Sequence, residues 1–306
     1  MFIDNNWYGN RFIFSRFCKI KDNLATSSIQ HGVIWSVSDA IYKRTFQNFN
    51  WLVWDDITKN NAISRKQKNV VSIGSPFIYL DDILKNEKIK PKGTLVFPSK
   101  SSYESAHYVD YKKLIAFVKK KFKKPYTILV GYQDIHRVKK IRHNFKDCKF
   151  VSCGKRSNKH FTDNLYKLIN KHHSISIFYV GSPILYSLFL KKKTYFFFNR
   201  FYKKTSGKKN IKDKLVKSSH KNFLEIVLQE DKTIINYVEK NYNINFRNLN
   251  TKKNQKNAEI ALGLGSKKKR KELIKLLGWD SKIQLFIGKL LSIIMNIKYY
   301  HVKKNY

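Results

Sequence analysis

The sequence predicts an α/β protein with two Rossmann-like domains followed by a basic helical extension. Three observations predict this class. Apolar runs alternate with helix-like segments between positions 93 and 200, the first 90 residues contain a shorter version of the same pattern, and one strand-to-helix turn occurs in both parts. Such alternation is typical of βαβ units and a parallel sheet.

The second domain has the clearer pattern, and we assign it to residues 91–205. Its predicted elements are a strand at Thr94–Ser99, a helix at Asp110–Phe122, a strand at Tyr126–Tyr132, a helix at 135–146, a strand at Cys148–Gly154, a helix at Phe161–His173 and a strand, helix and strand over 174–199. The helix at Asp110–Phe122 shows the basis of these assignments, because apolar residues lie on one side and lysines on the other.

The first domain is assigned to residues 1–90. Its predicted strands are Ala25–Val33, Asn50–Asp56 and Asn69–Pro76, and short helical stretches separate them. A polar stretch at Lys85–Gly93, broken by Pro91, is the predicted linker to the second domain.

The repeated turn reads IGSPFIYL at Ile73–Leu80 and VGSPILYS at Val180–Ser187. In each copy we expect Gly to allow a tight turn, Ser to cap the helix and Pro to take its first position. The repeat therefore indicates equivalent strand-to-helix corners in two domains. The alternative, that GSP is simply a favourable corner sequence, stays open.

The extension covers residues 206–306. A loop at Lys203–Lys214 leads into it, and it contains a helix at Asn222–Tyr242 and a stretch at Thr251–Asn257 that we expect to be flexible. Five consecutive basic residues, Lys267–Lys271, then precede an amphipathic stretch that reaches residue 300. This stretch suits either an anionic membrane surface or packing against the domains.

The net charge of +41 does not by itself indicate nucleic-acid binding. Only 10 of the 62 basic residues are arginine, and lysine, asparagine, isoleucine, phenylalanine and tyrosine are all abundant, as A/T-rich codons produce. No RNA-binding module is recognisable. The net charge therefore does not by itself identify the function of the protein.

Three cysteines without a CxxC pair predict a reducing compartment and neither a disulfide framework nor a zinc site. We find no signal peptide and no apolar run long enough to span a bilayer. The sequence therefore predicts a cytoplasmic protein, with peripheral attachment to the inner face of the cytoplasmic membrane as an open alternative.

Candidate site residues lie at the ends of predicted strands, where open α/β sheets bind ligands. The imidazole of His31, followed by Gly32, suits a general base or a phosphate donor. The turn at Gly181, Ser182 and Pro183 opens a helix whose positive dipole end suits a phosphate. The remaining candidates are hydroxyl or basic residues that suit phosphate or nucleotide: Ser99, Ser101, Ser102, Lys155, Arg156 and His160.

Several expected motifs are absent. The sequence has no GxGxxG and no GxxxxGK[ST], and Gly263–Lys271 lacks the spacing of a phosphate loop. The acidic pairs Asp55/Asp56 and Asp81/Asp82 could hold a metal, but the second pair is expected in the first turn of a helix, where acids oppose the dipole. We predict no metal and no bound cofactor.

The two linked domains, the QHGV sequence that contains His31, the GSP corners and the C-terminal helical part together resemble the GT-B glycosyltransferases of bacterial capsule and lipopolysaccharide synthesis. The QHG motif is also similar to that of the CDP-glycerol glycerophosphotransferase group. The resemblance covers residues 25–200 and implies a donor nucleotide between the domains, mostly against the second. It implies a catalytic or acceptor-side role for His31, phosphate contacts from the serines and Gly181, and a nucleotide bordered by Lys155, Arg156 and His160.

The resemblance also implies the substrates and partners. The donor is a nucleotide-sugar or CDP-glycerol, and the acceptor is a surface polysaccharide or a lipid-linked glycan at the membrane. Two alternatives stay open: a nucleotide-sugar 2-epimerase of the same fold, and a basic nucleic-acid-binding protein, which is the less favoured partner class.

Overall fold

The structure of the protein is a computed structural model that describes residues 3–21, 25–32, 49–87, 89–99, 107–198, 201–204 and 220–280. Two compact units make up the chain. Unit 1 combines Met1–Lys88, Arg156–Asp163 and Glu259–Tyr306, and unit 2 combines Ile89–Lys155 and Asn164–Ala258. The residues of the predicted extension are therefore divided between the units, and the roles predicted for each domain stay predictions.

The strands, in chain order, are β1 (Ser28–Ile29), β2 (Trp51–Val53), β3 (Val70–Ser72), β4 (Thr94–Phe97), β5 (His107–Val109), β6 (Tyr126–Leu129), β7 (Cys148–Val151), β8 (Ser174–Ile177), β9 (Lys193–Phe196) and β10 (Tyr202–Lys204). Each predicted strand is present but shorter than predicted.

The helices are α1 (Asn10–Cys18), α2 (Asp56–Ser64), α3 (Pro76–Leu84), α4 (Tyr111–Lys121), α5 (Ile135–Ile141), α6 (Phe161–Asn170), α7 (Ser182–Phe189), α8 (His220–Tyr242), α9 (Lys252–Ala261) and α10 (Arg270–Leu276). The segment Ile3–Gly9 is a 3₁₀ helix that is kinked at Trp7 and Tyr8. Further 3₁₀ turns lie at Tyr132–Asp134, Arg142–Asn144 and Leu264–Ser266.

Unit 1 contains a three-stranded parallel sheet in the order β1-β2-β3. All residues of the central strand β2 are buried, as expected for a parallel strand that is covered on both faces. Side-chain caps start the helices that follow two of its strands. Asp55 accepts from the N–H of Thr58 at 2.9 Å before α2, and Ser75 accepts from the N–H of Phe77 at 3.2 Å before α3.

The segment around Gly263 packs on the strand ends of this sheet. The N–H of Ser75 donates to the carbonyl of Leu262 at 2.8 Å. A Cβ atom on Gly263 would lie 1.7 Å from the carbonyl oxygen of Trp54, and the φ of Gly263 is +69°, in the left-handed region that favours glycine. Residues beyond 259 are therefore part of the packing of unit 1.

Two residues of the basic run Lys267–Lys271 form ion pairs inside unit 1. Lys267 pairs with Asp82, and the Nζ of Lys268 lies 3.1 Å from the carboxylate of Glu272. The sequence predicted Asp82 in the first turn of a helix, and this prediction is wrong. Asp82 lies near the end of α3, because α3 begins at Pro76. The amphipathic stretch from residue 281 lies outside the described residues, so its attachment to a membrane stays a prediction.

Unit 2 contains a five-stranded sheet in the order β7-β6-β4-β8-β9, in which all neighbouring strands are parallel. Taken by their order along the chain, these strands follow the pattern 3-2-1-4-5 of doubly wound nucleotide-binding sheets. The mixed α/β class with parallel sheets is confirmed. The paired-domain arrangement of the GT-B type stays a prediction.

The two faces of this sheet carry different helices. Residues of α4 and α5, including Leu114 and Val138, share one apolar cluster with Val96 and Ile128 of the strands. The end of α6 contacts Thr127, whose side chain points to the opposite face from that of Ile128. A separate antiparallel pair, β5 with β10, includes Lys203 and Lys204, which the sequence had assigned to a loop.

The stretch Thr251–Asn257 was predicted to be flexible, and this prediction is wrong. Helix α9 occupies it, and the Thr251 hydroxyl caps the helix by accepting from the N–H of Asn254 at 3.1 Å. The Asn254 side chain is buried and donates to the carbonyls of Asn245 and Asn248 at 3.0 and 2.7 Å. Contacts between side chain and backbone, which composition does not reveal, decide this helix.

A buried histidine ties the end of α6 to the sheet of unit 2. His172 Nδ1 donates to the carbonyl of Leu168 at 2.6 Å, and Nε2 accepts from the hydroxyl of Thr127 at 2.8 Å. Burial lowers the pKa of His172 below its ordinary value, because a charged imidazole would lose its hydration here. The folded protein therefore holds this imidazole neutral.

We expect the folded state to lose stability as the pH falls through about 6.5. The unfolded chain binds a proton at His172 in this range, whereas the folded chain does not, so the free energy of unfolding decreases. Urea denaturation of the wild type and His172→Gln at several pH values measures this effect, with the exposed His143→Gln as control. The His172 variant should show a shallower pH dependence than both, and equal slopes in all three proteins would contradict the assignment.

Candidate functional site

Unit 2 offers a ligand-binding position where its strand order reverses. Strand β4 pairs with β6 on one side and with β8 on the other, and the chain proceeds outwards in both directions from this centre. In open α/β sheets, ligands bind beyond the carboxyl ends of the two strands at the reversal. Here those strand ends lead into Pro98 and Ser99 after β4, and into the turn at Gly181–Pro183 after β8.

Ser99 links the two strand ends. Its side chain is buried, and its hydroxyl donates to the carbonyl of Phe178 at 2.9 Å. The N–H of Phe178 donates in turn to the carbonyl of Phe97 at 3.0 Å. Ser99 thereby fixes the backbone at Phe178, shortly before the turn at Gly181–Pro183. Ser101 and Ser102, which were predicted to act with Ser99, lie outside the described residues.

Helix α7 begins directly at this turn. Gly181 is its N-cap with an extended backbone, and Ser182 and Pro183 are its first two residues. Pro183 has no N–H and Ile184 donates to the carbonyl of Gly181 at 3.1 Å, so the amide of Gly181 and the positive end of the helix dipole are what the turn offers to an anion. A Cβ at position 181 would lie 2.9 Å from the ring of Tyr179, and Gly181 and Ser182 are half-exposed.

The two GSP turns differ in geometry. In the first, Ser75 is the cap and Pro76 the first helical residue, as predicted, and Gly74 has a φ of +83°. In the second, the prediction is wrong by one residue, because α7 starts at Ser182 and its cap, Gly181, has no side chain. The first turn is also covered, since a Cβ on Gly74 would lie 3.1 Å from the carbonyl oxygen of Gly263. Gly74 and Ser75 are buried, whereas Gly181 and Ser182 are half-exposed, so the second turn is the more accessible of the two.

Lys155 lies at the edge of the sheet in unit 2. It follows β7, which is two strands, or about 10 Å, from β4. The side chain is exposed, and its Nζ lies 5.1 Å from the ring centroid of Tyr132. A nucleotide at the strand reversal would therefore meet Lys155 only at its periphery.

In unit 1, His31 and Gly32 follow β1, and Gln30 fixes the backbone on both sides of His31. Gln30 is buried, its Oε1 accepts from the N–H of Trp54 at 2.9 Å, and its carbonyl accepts from Trp54 Nε1 at 3.1 Å. Its Nε2 donates to the carbonyl of Gly32 at 2.8 Å. The buried side-chain amide has two hydrogen-bond partners and the main-chain carbonyl has a third, so the backbone that carries the imidazole is fixed.

Trp7 lies beside two of the predicted site residues. The ring centroids of Trp7 and His31 are 4.9 Å apart, and the guanidinium carbon of Arg156 lies 5.9 Å from the Trp7 ring centroid. Residues 125 positions apart, His31 and Arg156, therefore share one indole within unit 1. The guanidinium of Arg156 favours an anionic ligand at this position.

A backbone kink places this tryptophan. Tyr8 has a φ of +60°, its N–H donates to the carbonyl of Arg156 at 2.6 Å, and its carbonyl accepts from the hydroxyl of Thr162 at 2.5 Å. Gly9 is required next to it, because a Cβ there would lie 2.3 Å from the carbonyl oxygen of Lys159. A non-glycine residue with a left-handed backbone, such as Tyr8, costs about 1 kcal/mol or more of folding free energy, and such strain is concentrated at functional sites.

His160 is engaged at the start of α6. Its Nδ1 lies 3.3 Å from the carboxylate of Asp163, which also pairs with Arg16 at 2.6 Å. Asp163 is buried, and its ion pair with Arg16 ties the 156–163 segment to α1. These contacts give His160 a structural task in unit 1.

Sequence reasoning missed Trp7. The available signal was a glycine directly after two aromatic residues at Trp7–Gly9, which indicates a close backbone approach. Nothing in the spacing reveals that the approaching segment is 156–163, because the contact joins distant parts of the chain.

No protein-family model and no curated protein matches the chain. Among solved structures, it is similar to the crystal structure of a glycosyltransferase from Rickettsia africae ESF-5, with a TM-score of 0.28 and 13% sequence identity over 88% of this chain and 69% of that chain. A TM-score of this size does not define a shared fold. The function is therefore inferred from the residues of the chain itself.

Two features are absent from the described residues: a helix that could span a membrane and a cluster of metal-binding side chains. None of their helices is long and apolar enough to cross a membrane. Within the same residues, no group of three or more His, Cys, Asp and Glu side chains is placed to hold a metal ion.

Proposed function

We propose that this protein is a glycosyltransferase or glycerophosphate-type transferase that moves a group from a nucleotide-activated donor to a surface-polysaccharide or lipid-linked glycan acceptor. The observation that carries this proposal is the 3-2-1-4-5 strand order of unit 2, with the turn at Gly181–Pro183 at its reversal point. A nucleoside diphosphate suits this arrangement, because a diphosphate gains from a helix dipole while the base and ribose extend along the strand ends.

The donor is held by unit 2 in this proposal. Its diphosphate lies against the amide of Gly181 and the amino end of α7. Departure of the nucleotide requires positive potential near the leaving oxygens, which the dipole of α7 supplies in this proposal without a metal ion.

His31 supplies the acid–base group in this proposal. A general base activates the acceptor hydroxyl by removing its proton as the new bond forms. Gln30 and Trp7 support the role because they hold the backbone and the ring of His31 in one orientation. Arg156, beside the same tryptophan, contributes positive charge for an anionic part of the acceptor.

Nucleotide binding to unit 2 is tested by thermal denaturation with CMP, CDP, UDP, GDP and their sugar or glycerol conjugates. A nucleotide at 100 times its Kd stabilises the folded state by about 2.7 kcal/mol, which raises the Tm by about 5 °C or more. We expect one nucleoside diphosphate family to give this shift. If none of them raises the Tm, the donor proposal fails.

Ser182→Asp locates the binding position. An acidic residue in the first turn of α7 favours the helix but repels a diphosphate. The variant should keep the Tm of the free protein and lose the nucleotide-dependent shift. Thr251→Asp, which places the same charge at the start of α9, is the matched control and should keep the shift. A full shift in Ser182→Asp would contradict the assigned position.

Product analysis separates transfer from epimerisation. A transferase releases nucleotide in proportion to the modified acceptor, whereas a 2-epimerase changes the donor sugar when no acceptor is present. We expect turnover of the donor to depend on an added glycan or lipid-linked acceptor.

A further inference from the structure

The helices α4 and α5 of unit 2 carry an unusual concentration of exposed positive charge. Between Tyr111 and Lys155 the chain has fourteen lysines and arginines but only two acidic residues, Asp134 and Asp147. Asp134 is buried. The exposed lysines on the two helices, which we call the lysine face, are Lys112, Lys113, Lys119, Lys120, Lys121, Lys139 and Lys140.

The lysines of this face all lie on the same side of unit 2. Helices α4 and α5 bury their apolar residues, among them Leu114, Val118 and Val138, in one cluster on one face of the sheet. Their opposite sides therefore point outwards together, and two helices lying on one sheet face present a broad, nearly flat surface. Among the described residues, Lys119 is the one lysine of this face that forms an ion pair, with Asp147 at 2.8 Å.

The concentration is local and is not simply the lysine content of the whole chain. Helices α6 and α7 contain one lysine between them, Lys167. The region 220–258, with α8 and most of α9, has seven basic and four acidic residues. A uniform codon bias would not concentrate unbalanced charge on the helices of one sheet face.

The composition of the lysine face favours lipid headgroups over nucleic acid. All seven cations are lysines, whose flexible stems suit a diffuse layer of phosphates, whereas specific nucleic-acid contacts use the planar guanidinium of arginine. The exposed residues of α4 and α5 include no Phe, Tyr or Trp on which bases could stack.

We propose that the lysine face docks unit 2 on the phosphate headgroups of an anionic phospholipid bilayer. This inference goes beyond the proposed transferase activity and does not depend on it. It also differs from attachment through the basic run at Lys267–Lys271, where Lys267 and Lys268 are paired within unit 1. Each lysine near an anionic surface raises the partition coefficient by up to about fivefold.

Vesicle sedimentation of the full chain tests the proposal. The vesicles contain phosphatidylglycerol and phosphatidylcholine, or phosphatidylcholine alone, in about 0.1 M salt. The test variant replaces Lys113, Lys120, Lys121, Lys139 and Lys140 with Gln. The matched control makes five Lys→Gln changes at exposed positions outside the face: Lys232, Lys240, Lys252, Lys253 and Lys256.

We expect the wild type and the control variant to bind the anionic vesicles and not the neutral ones. The lysine-face variant should lose at least about tenfold in partition coefficient, and about 0.5 M salt should release the wild type, because the Debye length falls to about 4 Å. Equal losses in both variants would show a general charge effect and overturn the proposal. Absence of binding to anionic vesicles would overturn it too.

A nucleic-acid arm completes the test. If the lysine-face variant loses affinity for a single-stranded RNA oligonucleotide while its vesicle binding equals that of the control, the face binds nucleic acid and the lipid assignment is wrong. Nucleotide-dependent stabilisation is measured separately, so failure of membrane docking and failure of the transferase proposal are distinguishable.

Discussion

Gly263→Ala should destabilise the protein by at least about 3 kcal/mol, a large part of the 5 to 15 kcal/mol that typically stabilises a folded protein. The added Cβ would lie 1.7 Å from the carbonyl oxygen and 2.7 Å from the carbonyl carbon of Trp54. The φ of +69° adds about 1 kcal/mol or more for any residue with a Cβ. Both effects act at the same backbone position and require the segment to move.

The displaced carbonyl has a second task, which raises the cost. The oxygen of Trp54 accepts from the N–H of Gly74 at 2.9 Å, where the chain leaves β3. Moving it weakens the connection between the ends of β2 and β3, in addition to the contact with the C-terminal segment. A local shift therefore disturbs the sheet edge next to His31.

Gly265→Ala is the matched control for this prediction. A Cβ on Gly265 meets no atom within 4 Å, and the residue is two positions away in the same turn. It should leave the free energy of unfolding unchanged or raise it by up to about 1 kcal/mol, because alanine restricts the unfolded chain. Urea denaturation measures both variants. Comparable stabilities for the two would mean that Gly263 does not pack as described.

His31→Gln should lower the rate of group transfer at least about 100-fold. Glutamine keeps polarity and approximate size but cannot take up a proton from the acceptor. Because Gln30 holds the surrounding backbone, the Tm should change little and nucleotide stabilisation of unit 2 should remain. The measurement is nucleotide release with the donor found by thermal denaturation and a glycan or lipid-linked acceptor.

His143→Gln, at an exposed position of unit 2, is the control for losing an imidazole. Trp7→Phe extends the test, since a smaller ring next to His31 should reduce transfer by less than the loss of the imidazole does. Unchanged turnover in His31→Gln would remove His31 from the chemistry. A fall in Tm equal to that of a core substitution would instead assign His31 a structural role.

The periodicity of the sequence was sufficient for the five strands of the sheet in unit 2 and the helices that connect them, whereas β5 and β10 were not predicted. Strands such as Thr94–Phe97 and helices such as Tyr111–Lys121 follow from apolar runs and amphipathic spacing, which are local properties. Composition failed where nonlocal contacts decide. Helix α9 depends on hydrogen bonds from Asn254 to residues in the preceding turn, and a polar sequence alone does not indicate them.

For the candidate site too, the sequence revealed the local features and the structure revealed the contacts between distant segments. The GSP repeat marked both strand-to-helix corners, but only the structure distinguishes the buried first turn from the half-exposed second, because Gly263, which packs on the first turn, is far away in sequence. The grouping of His31 and Arg156 around Trp7 was likewise invisible.

The sequence by itself determined the α/β class, the order of strands and helices and the corners where a ligand could bind. Only the tertiary structure decided the 3-2-1-4-5 strand order, the neighbours of each corner and the grouping of lysines on one sheet face. The physical reason is the distance along the chain over which each interaction acts. Side-chain periodicity and helix capping act over a few residues, whereas strand pairing and backbone contact join segments whose separation along the chain leaves no local pattern.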